Sequence, residues 1–408
     1  MLILIFIANS LYAQSFVYPG INAIIDSGAG QIHTRGAEAV FANPANIIFS
    51  KKFELYGDVS LLKVNYTYKH INEKYDPVTV NVSAPPVDLG FSYKPSSRFS
   101  FGLLVIPKGS GSVQKIEKVP QKNPIINDGS YLLYNIESGS SGYQLGLGMS
   151  AKITKDWFIG LAVNRFSEKN TLLVSDALSD GSLPTIDATF AGDFNQFLLG
   201  TRLEMLKKKW ILAGTYKTSV TKTYQGTLGG AIAANKSSDY PGVGYIPAAI
   251  SLGTEVIADR VGLMGEVQYV QWSAAKSVAK PFTEQSASTT DYVDTLNFIG
   301  GIRYYQKLTV FSGSFAYYPA NVGYGTESLP NVAGNPATDV TGVSFAQFDN
   351  FTRYVFATGV RHRWGKTAFI FGGINYQTAS RSVNEGFSGE GNHSLTVYQL
   401  ACGGGYKF

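Results

Sequence analysis

Residues 393–408, HSLTVYQLACGGGYKF, alternate with a period of two and stop on an aromatic carboxy-terminus. Successive side chains of a β-strand point to opposite faces. Tyr398, Leu400, Cys402, Gly404, Tyr406 and Phe408 therefore share one face, and Gln399, Ala401, Gly403 and Lys407 the other. Such a segment reads as the closing strand of a transmembrane β-barrel, the first set toward lipid and the second toward the lumen. Taken alone it would serve equally as an edge strand of a soluble sandwich, so the rest of the chain has to decide.

Hydrophobic residues make up 44% of the 408, aromatics 13% and charged residues only 15%, and there are 44 glycines. That aromatic-rich, glycine-rich, charge-poor balance is the composition of a membrane barrel. No linker, charge block or change of composition divides the chain, which predicts one large closed architecture. Past the amino-terminus no apolar run reaches the roughly 18–20 residues a spanning helix needs, so any spanning is left to strands. Cys402 is the sole cysteine, which rules out an internal disulfide framework or thiolate cluster. The net charge of +5 comes with no basic block longer than Lys207 to Lys209, and nucleic-acid binding is not expected.

Residues 1–13, MLILIFIANSLYA, read as the apolar region and cleavage site of a secretory signal peptide, with the mature chain beginning near Gln14. No Lys or Arg precedes Arg35, so the basic leader region is missing and the true start is expected upstream. A buried core strand is the alternative for this stretch.

From residue 53 to 408 the sequence resolves into about fourteen alternating segments, an even number of the kind bacterial barrels use. Their connections alternate in length. Short polar turns fall at Pro95 to Arg98, Thr154 to Asp156, Lys207 to Lys209, Asp259 to Arg260, Gln306 to Lys307 and Trp364 to Lys366. Long connections rich in Gly, Ser, Asn, Asp and Pro are expected at His70 to Val87, Lys108 to Gly139, Leu172 to Asp187, Leu228 to Ile246, Ser273 to Thr290, Ala320 to Gln347 and Ser380 to Asn392. Short periplasmic turns and long outer loops produce this asymmetry in outer-membrane barrels. Trp157, Trp210, Trp272 and Trp364 each abut a turn or loop, where an interfacial aromatic girdle would lie. By alternation Arg202, Lys217, Glu255, Glu266, Arg303, Arg353 and Arg361 face the lumen, and Trp157, Ile159, Leu161 and Val163 face lipid.

Gln14 to Lys52 shows little period-two pattern yet is rich in Val, Ile and Phe, too apolar for stable disorder in water. A barrel of about fourteen strands has a lumen its own side chains cannot fill. Residues 14–52 are therefore read as a plug, or hatch, inside the lumen, with a disordered periplasmic tail as the alternative. Within that segment Gly36-Ala37-Glu38-Ala39-Val40-Phe41-Ala42-Asn43-Pro44-Ala45-Asn46 resembles the plug motif of the FadL/TodX family, outer-membrane transporters of long-chain fatty acids and other hydrophobic compounds. Further stretches resemble the same family: residues 247–253, Tyr269 to Ser273, and residues 313–319.

The resemblance implies an all-β fold, a monomeric transmembrane antiparallel barrel in the bacterial outer membrane, plugged by its amino-terminus. It also implies lateral exit of the ligand near a kinked strand, which the sequence does not identify. Asn43, Pro44 and Ala45 stand where the family has its Asn-Pro-Ala turn and are the expected gating residues. The corresponding third and fourth loops form the family's first ligand groove, which points to Leu172, Leu173, Leu178 and Ile232 here. Those apolar residues would equally pack on one another. Lys217, Arg303 and Arg353 are candidates to hold a ligand carboxylate, or to form interior salt bridges. The expected partners are the bilayer, a hydrophobic small molecule, and barrel-assembly machinery reading Phe408. No cofactor is called for.

No G-x-S-x-G motif occurs, and His33, His70, His362 and His393 lie far apart with no metal-ligand spacing, so neither a catalytic nor a metal site is expected. The rival functional readings are a structural or secretion-accessory barrel that binds a protein partner and, behind it, an open diffusion porin, against which an apolar plug argues.

Overall fold

The computed structural model describes residues 26–27, 30–70, 77–84, 87–108, 114–122, 131–176, 186–229, 238–239, 242–277, 293–320, 351–365, 367–383 and 391–408. The expected signal peptide lies outside them. Nineteen antiparallel strand segments form one sheet, and they join into a closed wall of fourteen. Four wall strands are built from two segments each: β2 (Val78–Ala84) with β3 (Val87–Tyr93), β4 (Phe99–Lys108) with β5 (Gln114–Lys122), β9 (Trp210–Lys217) with β10 (Val220–Gly229), and β12 (Gly242–Ile246) with β13 (Ala249–Ala258). The two-residue β11 (Ser238–Asp239) only bridges to β10. The remaining ten are β1 (Phe53–His70), β6 (Tyr131–Lys152), β7 (Trp157–Asp176), β8 (Ile186–Met205), β14 (Val261–Val270), β15 (Thr295–Gln306), β16 (Thr309–Tyr318), β17 (Thr352–Trp364), β18 (Ala368–Val383) and β19 (Gly391–Lys407), β19 returning to pair with β1.

That closing ladder runs from Glu54 opposite Lys407 to His70 opposite Gly391, and the Phe408 amide donates to the Phe53 carbonyl at 3.0 Å. Closure satisfies the edge hydrogen-bonding groups that a hydrocarbon environment would leave bare. Side chains alternate as their sequence directs. In β19, Tyr398, Leu400 and Tyr406 lie on the exposed outer surface, while Gln399 and Ala401 are buried inside. In β7, Trp157 and Leu161 are outside and Phe158, Ala162 and Asn164 inside. Arg202, Glu255, Glu266, Arg303 and Arg353 are all buried within the barrel, where the charge has polar neighbours. Two tryptophans on the outer surface repeat one arrangement: Trp157 Nε1 donates to Thr201 Oγ1 at 3.0 Å and Trp210 Nε1 to Thr254 Oγ1 at 2.9 Å. Each ring thus lies along the wall with its polar edge tied to the adjoining strand.

The short turns fall where the alternation breaks. Asp259 and Lys307 adopt positive φ in two of them, the conformation a tight hairpin demands. The long connections, however, are shorter than expected. Residues 78–84, 114–122 and 242–246 are strand, β6 begins at Tyr131, β7 continues to Asp176 and β8 begins at Ile186. Leu172 and Leu173 are therefore not loop residues: they pair with Ala188 and Asp187 across β7 and β8. A ladder already running extends at the cost of ordering one more residue at a time, whatever its polarity. Residues 114–122 (QKIEKVPQK) carry no apolar alternation to announce them, and the alternation of residues 78–84 (VTVNVSA) is a single short run beside Pro and Asn.

The apolar belt sets an expectation. Leu161→Arg, on the outer surface near mid-strand, should destabilise the membrane-inserted barrel by about 2–4 kcal/mol. Urea unfolding in lipid vesicles, read by heat-modifiable mobility, measures this, and an unchanged midpoint would show that the belt is not embedded.

Candidate functional site

Gly160 of β7 and Gly200 of β8 are direct cross-strand partners, both pointing inward. Their missing side chains leave a saddle in the wall, and Asn43-Pro44-Ala45 sits in it. A methyl group on Gly160 would meet the backbone of Pro44 and Ala45, and one on Gly200 would meet the Asn43 side chain, the Pro44 ring and the Ala45 amide. The turn is locally determined. Asn43 is extended and its Oδ1 accepts from the Ala45 amide at 3.1 Å, capping a 3-10 turn over Pro44–Phe49. Proline at the first position, with φ already set and no N–H to lose, suits that start. The Asn43 amide group then donates to the Gln31 carbonyl at 3.0 Å and to the Thr201 carbonyl at 3.1 Å, tying the turn to its own segment and to the wall.

Arg202, two residues along β8 from Gly200, reinforces this contact. Fully buried, it donates to the Ile32 carbonyl at 2.6 Å and to Asn46 Oδ1 at 3.3 Å, pairs with Glu204 at 3.0 Å, and lies 4.7 Å from the Phe49 ring centroid. One wall residue thus holds three points of the inner segment, and its charge is balanced by a carboxylate on the same strand. Asn46 donates to the Gln31 carbonyl at 2.8 Å, so the two asparagines share that acceptor. Further around the wall Arg303 of β15 bonds Asp26 Oδ1 at 2.6 Å and Tyr318 of β16 donates to the Ser27 carbonyl at 2.6 Å. Tyr56 donates to Glu38 at 2.7 Å and Lys94 to the Ile48 carbonyl at 2.7 Å. Burial, with Arg303, Arg35, Arg202 and Arg361 nearby, holds His33 well below its ordinary value, so it is neutral at pH 7. Its Nε2, 3.6 Å from Glu255 Oε1, makes a polar contact and not an ion pair.

Above this segment the lumen is lined differently. Val40, Phe41 and Ile47 continue upward into Ile106, Phe166, Phe194, Leu198, Val220 and Ile246, all buried. Phe166 stacks on Phe194 at 6.3 Å between centroids. Set into this apolar wall, Lys222 lies 3.3 Å from Glu168 and 5.0 Å from the Phe194 centroid. The wall is also incompletely laced: β3 and β4 pair only over Leu89–Tyr93 with Phe101–Val105, and no ladder joins β2 to β5 among the described residues.

No family model matches the sequence, and no curated protein matches it. Solved structures do match the fold. A FadL homologue of Pseudomonas aeruginosa superposes with a TM-score of 0.69 at 14% identity, over 97% of this chain and 100% of that one. The toluene transporter TbuX of Ralstonia pickettii gives 0.61 at 13% over 97% and 100%, and the toluene transporter TodX of P. putida 0.60 at 12% over 94% and 96%. This chain has the FadL/TodX fold.

Within that fold the expected residues separate into groups. Asn43, Pro44 and Ala45 stand together in the glycine saddle. Arg303 and Arg353 are inward but engaged, Arg303 with Asp26 and Arg353 over the Tyr318 ring at 4.9 Å. Lys217 opposes Leu198 and Ala249 in the lower part of the apolar wall. Leu172 and Leu173 are in β7, with Leu173 partly exposed, and Leu178 and Ile232 lie outside the described residues. Arg202 and Lys222 were not singled out as site residues by the sequence. Alternation already placed Arg202 inside, but only the fold shows which carbonyls it meets.

Substituting valine at Gly160 or Gly200 should leave the barrel folded and displace residues 43–45, because Gly160 faces backbone and Gly200 faces the Pro44 ring and an Asn43 side chain already held by its hydrogen bonds, none of which can swing aside alone. Single-channel conductance in planar bilayers should rise. Arg202→Ala should do the same and destabilise the barrel by up to about 3–5 kcal/mol, since buried Glu204 loses its buried guanidinium partner and keeps only the exposed Lys208. Wild-type conductance in all three variants would show that the segment is not held through these contacts.

Proposed function

We propose that this chain carries hydrophobic small molecules across the bacterial outer membrane, long-chain fatty acids or aromatic hydrocarbons being the ligand classes to test first. The observation carrying this reading is the division of the lumen. Its lower half is filled by residues 30–50, held through Asn43 and Arg202, and its upper wall is apolar with Lys222 set into it. An aqueous porin gains nothing from such a lining, whereas an amphiphile would bury its chain against Phe166, Phe194 and Ile246. Lys222, whose partner Glu168 can be exchanged for a ligand carboxylate, would fix the head. The similar structures named as toluene transporters support the same class of ligand.

Ligand descends the apolar wall until it meets Val40 and Phe41. Movement of the Asn43–Ala45 turn on its glycine saddle then admits it to the seam beside β3 and β4, where wall hydrogen bonds run out. An apolar ligand leaving there enters hydrocarbon without crossing water.

Uptake of a labelled long-chain fatty acid and of labelled toluene by cells expressing the protein tests this reading. Uptake should depend on the protein and fall severalfold in Asn43→Ala at normal surface level. Lys222→Ala should reduce fatty-acid uptake and spare toluene. Correctly folded surface protein that promotes neither uptake would reject the transporter reading.

A further inference from the structure

The rim formed by the short turns carries a charge pattern that transport does not use. Residues 51–52, 98, 155, 207–209, 260, 307 and 363 are ten exposed cations, and among the described residues this rim has two acids outside the lumen, Asp156 and Asp259. In the sequence the long connections are biased the opposite way, with fourteen acids against nine cations over the ranges given above. The short-turn rim therefore concentrates positive charge.

The placement of these cations is regular. Lys52 precedes Phe53, Arg98 precedes Phe99, Lys209 precedes Trp210, Lys307 precedes Leu308 and Arg363 precedes Trp364, and each second member is an exposed apolar or aromatic side chain on the outer surface. Apolar and aromatic anchors lie at the membrane interface, so Lys52, Arg98, Lys209 and Lys307, each one residue nearer the strand end than its anchor, reach the level of lipid phosphates, and Arg363, one residue inside Trp364 at the end of β17, lies within a long side chain's reach of the same level. The pairs occur at the start of β1 and at the turns entering β4, β9, β16 and the end of β17, which spaces them around the whole circumference. At the densest point Leu206, Lys207 and Lys208 take successive positive φ angles of 49°, 56° and 70°. L-residues adopt that conformation only at a cost, and here it splays Leu206 and three lysines outward, Leu206 being 70% exposed. Lys208 also lies 3.6 Å from buried Glu204, and Lys155 3.9 Å from Asp156.

We propose that the short-turn rim is a binding collar for the anionic phospholipid headgroups of the leaflet it faces. The spacing of cation–anchor pairs around the circumference matches an annulus of lipids, whereas an acidic protein would need the charge gathered on one side. A collar of this kind fixes the depth and orientation of the barrel and surrounds the lower end of the seam with anionic lipid.

The full-length protein carrying Trp272→Phe, reconstituted in vesicles, tests the proposal, because Trp157, Trp210 and Trp364 then report on the collar. Their quenching by brominated phosphatidylglycerol is compared with that by brominated phosphatidylcholine. A severalfold preference for phosphatidylglycerol is expected. It should shrink toward none in about 1 M NaCl, where screening falls to about 3 Å, and in Lys207→Ser/Lys208→Ser/Lys209→Ser combined with Arg98→Gln/Arg363→Gln. Soluble glycerol phosphate should not compete, which separates a lipid site from a phosphate site. Equal quenching by both lipids, a preference that persists in the folded variant, or displacement by glycerol phosphate would overturn the proposal. If the variant does not reconstitute, the salt series on the parent protein decides alone, and a salt-independent preference is the contrary result.

Discussion

Everything in this structure depends on the inability of hydrocarbon to satisfy backbone N–H and C=O groups. An open sheet of these strands would leave two bare edges, and the ladder between β1 and β19 removes both. Closure at fourteen strands then creates a second requirement, because the enclosed space is wider than inward-facing side chains can fill. The protein meets it by folding its own chain inward. That solution works only where the wall makes room, as it does at the Gly160–Gly200 pair and again at Gly90, Gly102, Gly146 and Gly148, which face Ala37, Val40, Phe41 and Ile47.

Filling the lumen with polypeptide raises a problem of polar satisfaction. The inner segment is built from 3-10 turns, which leave several of their carbonyls without internal partners. Wall side chains take up that role: Arg202 on the Ile32 carbonyl, Tyr318 on that of Ser27, Lys94 on that of Ile48. Bonds of this kind are specific and individually modest, and they differ from the continuous ladders of the wall, which lock every residue to two neighbours. A segment held by a limited number of side-chain bonds inside a wall held by ladders can move while the wall does not.

The outer surface of the barrel was legible residue by residue. In β19 and β7 the alternation separated exposed Leu400 and Leu161 from buried Gln399 and Asn164 without reference to any other strand. The short turns were legible because polar residues interrupt that alternation abruptly. The reach of strands past the bilayer was not, since residues 114–122 and 242–246 sit among polar and glycine-rich stretches that read as loop, and Leu172 lies in a ladder that its neighbours give no sign of. Among the cations, Arg303 and Arg353 were correctly turned inward, but inward direction does not say what waits there. Asp26 lies 277 positions from Arg303, and the Tyr318 ring meets Arg353 only through the register of β16 against β17.

In the sequence alone, local periodicity set the facing of each strand, the alternation of short and long connections set the class of fold, and resemblance to a known motif located the Asn-Pro-Ala turn, because each is written in neighbouring residues or in their order along the chain. Tertiary structure alone decided that this turn rests on the Gly160–Gly200 saddle, that Arg202 bridges Ile32 and Asn46, and that Lys222 meets Glu168 within an aromatic wall. Those contacts join residues separated by as many as 170 positions, and such separations are bridged only by the register of strands around a closed barrel. Register is set by every ladder acting together, so no single segment of sequence contains it.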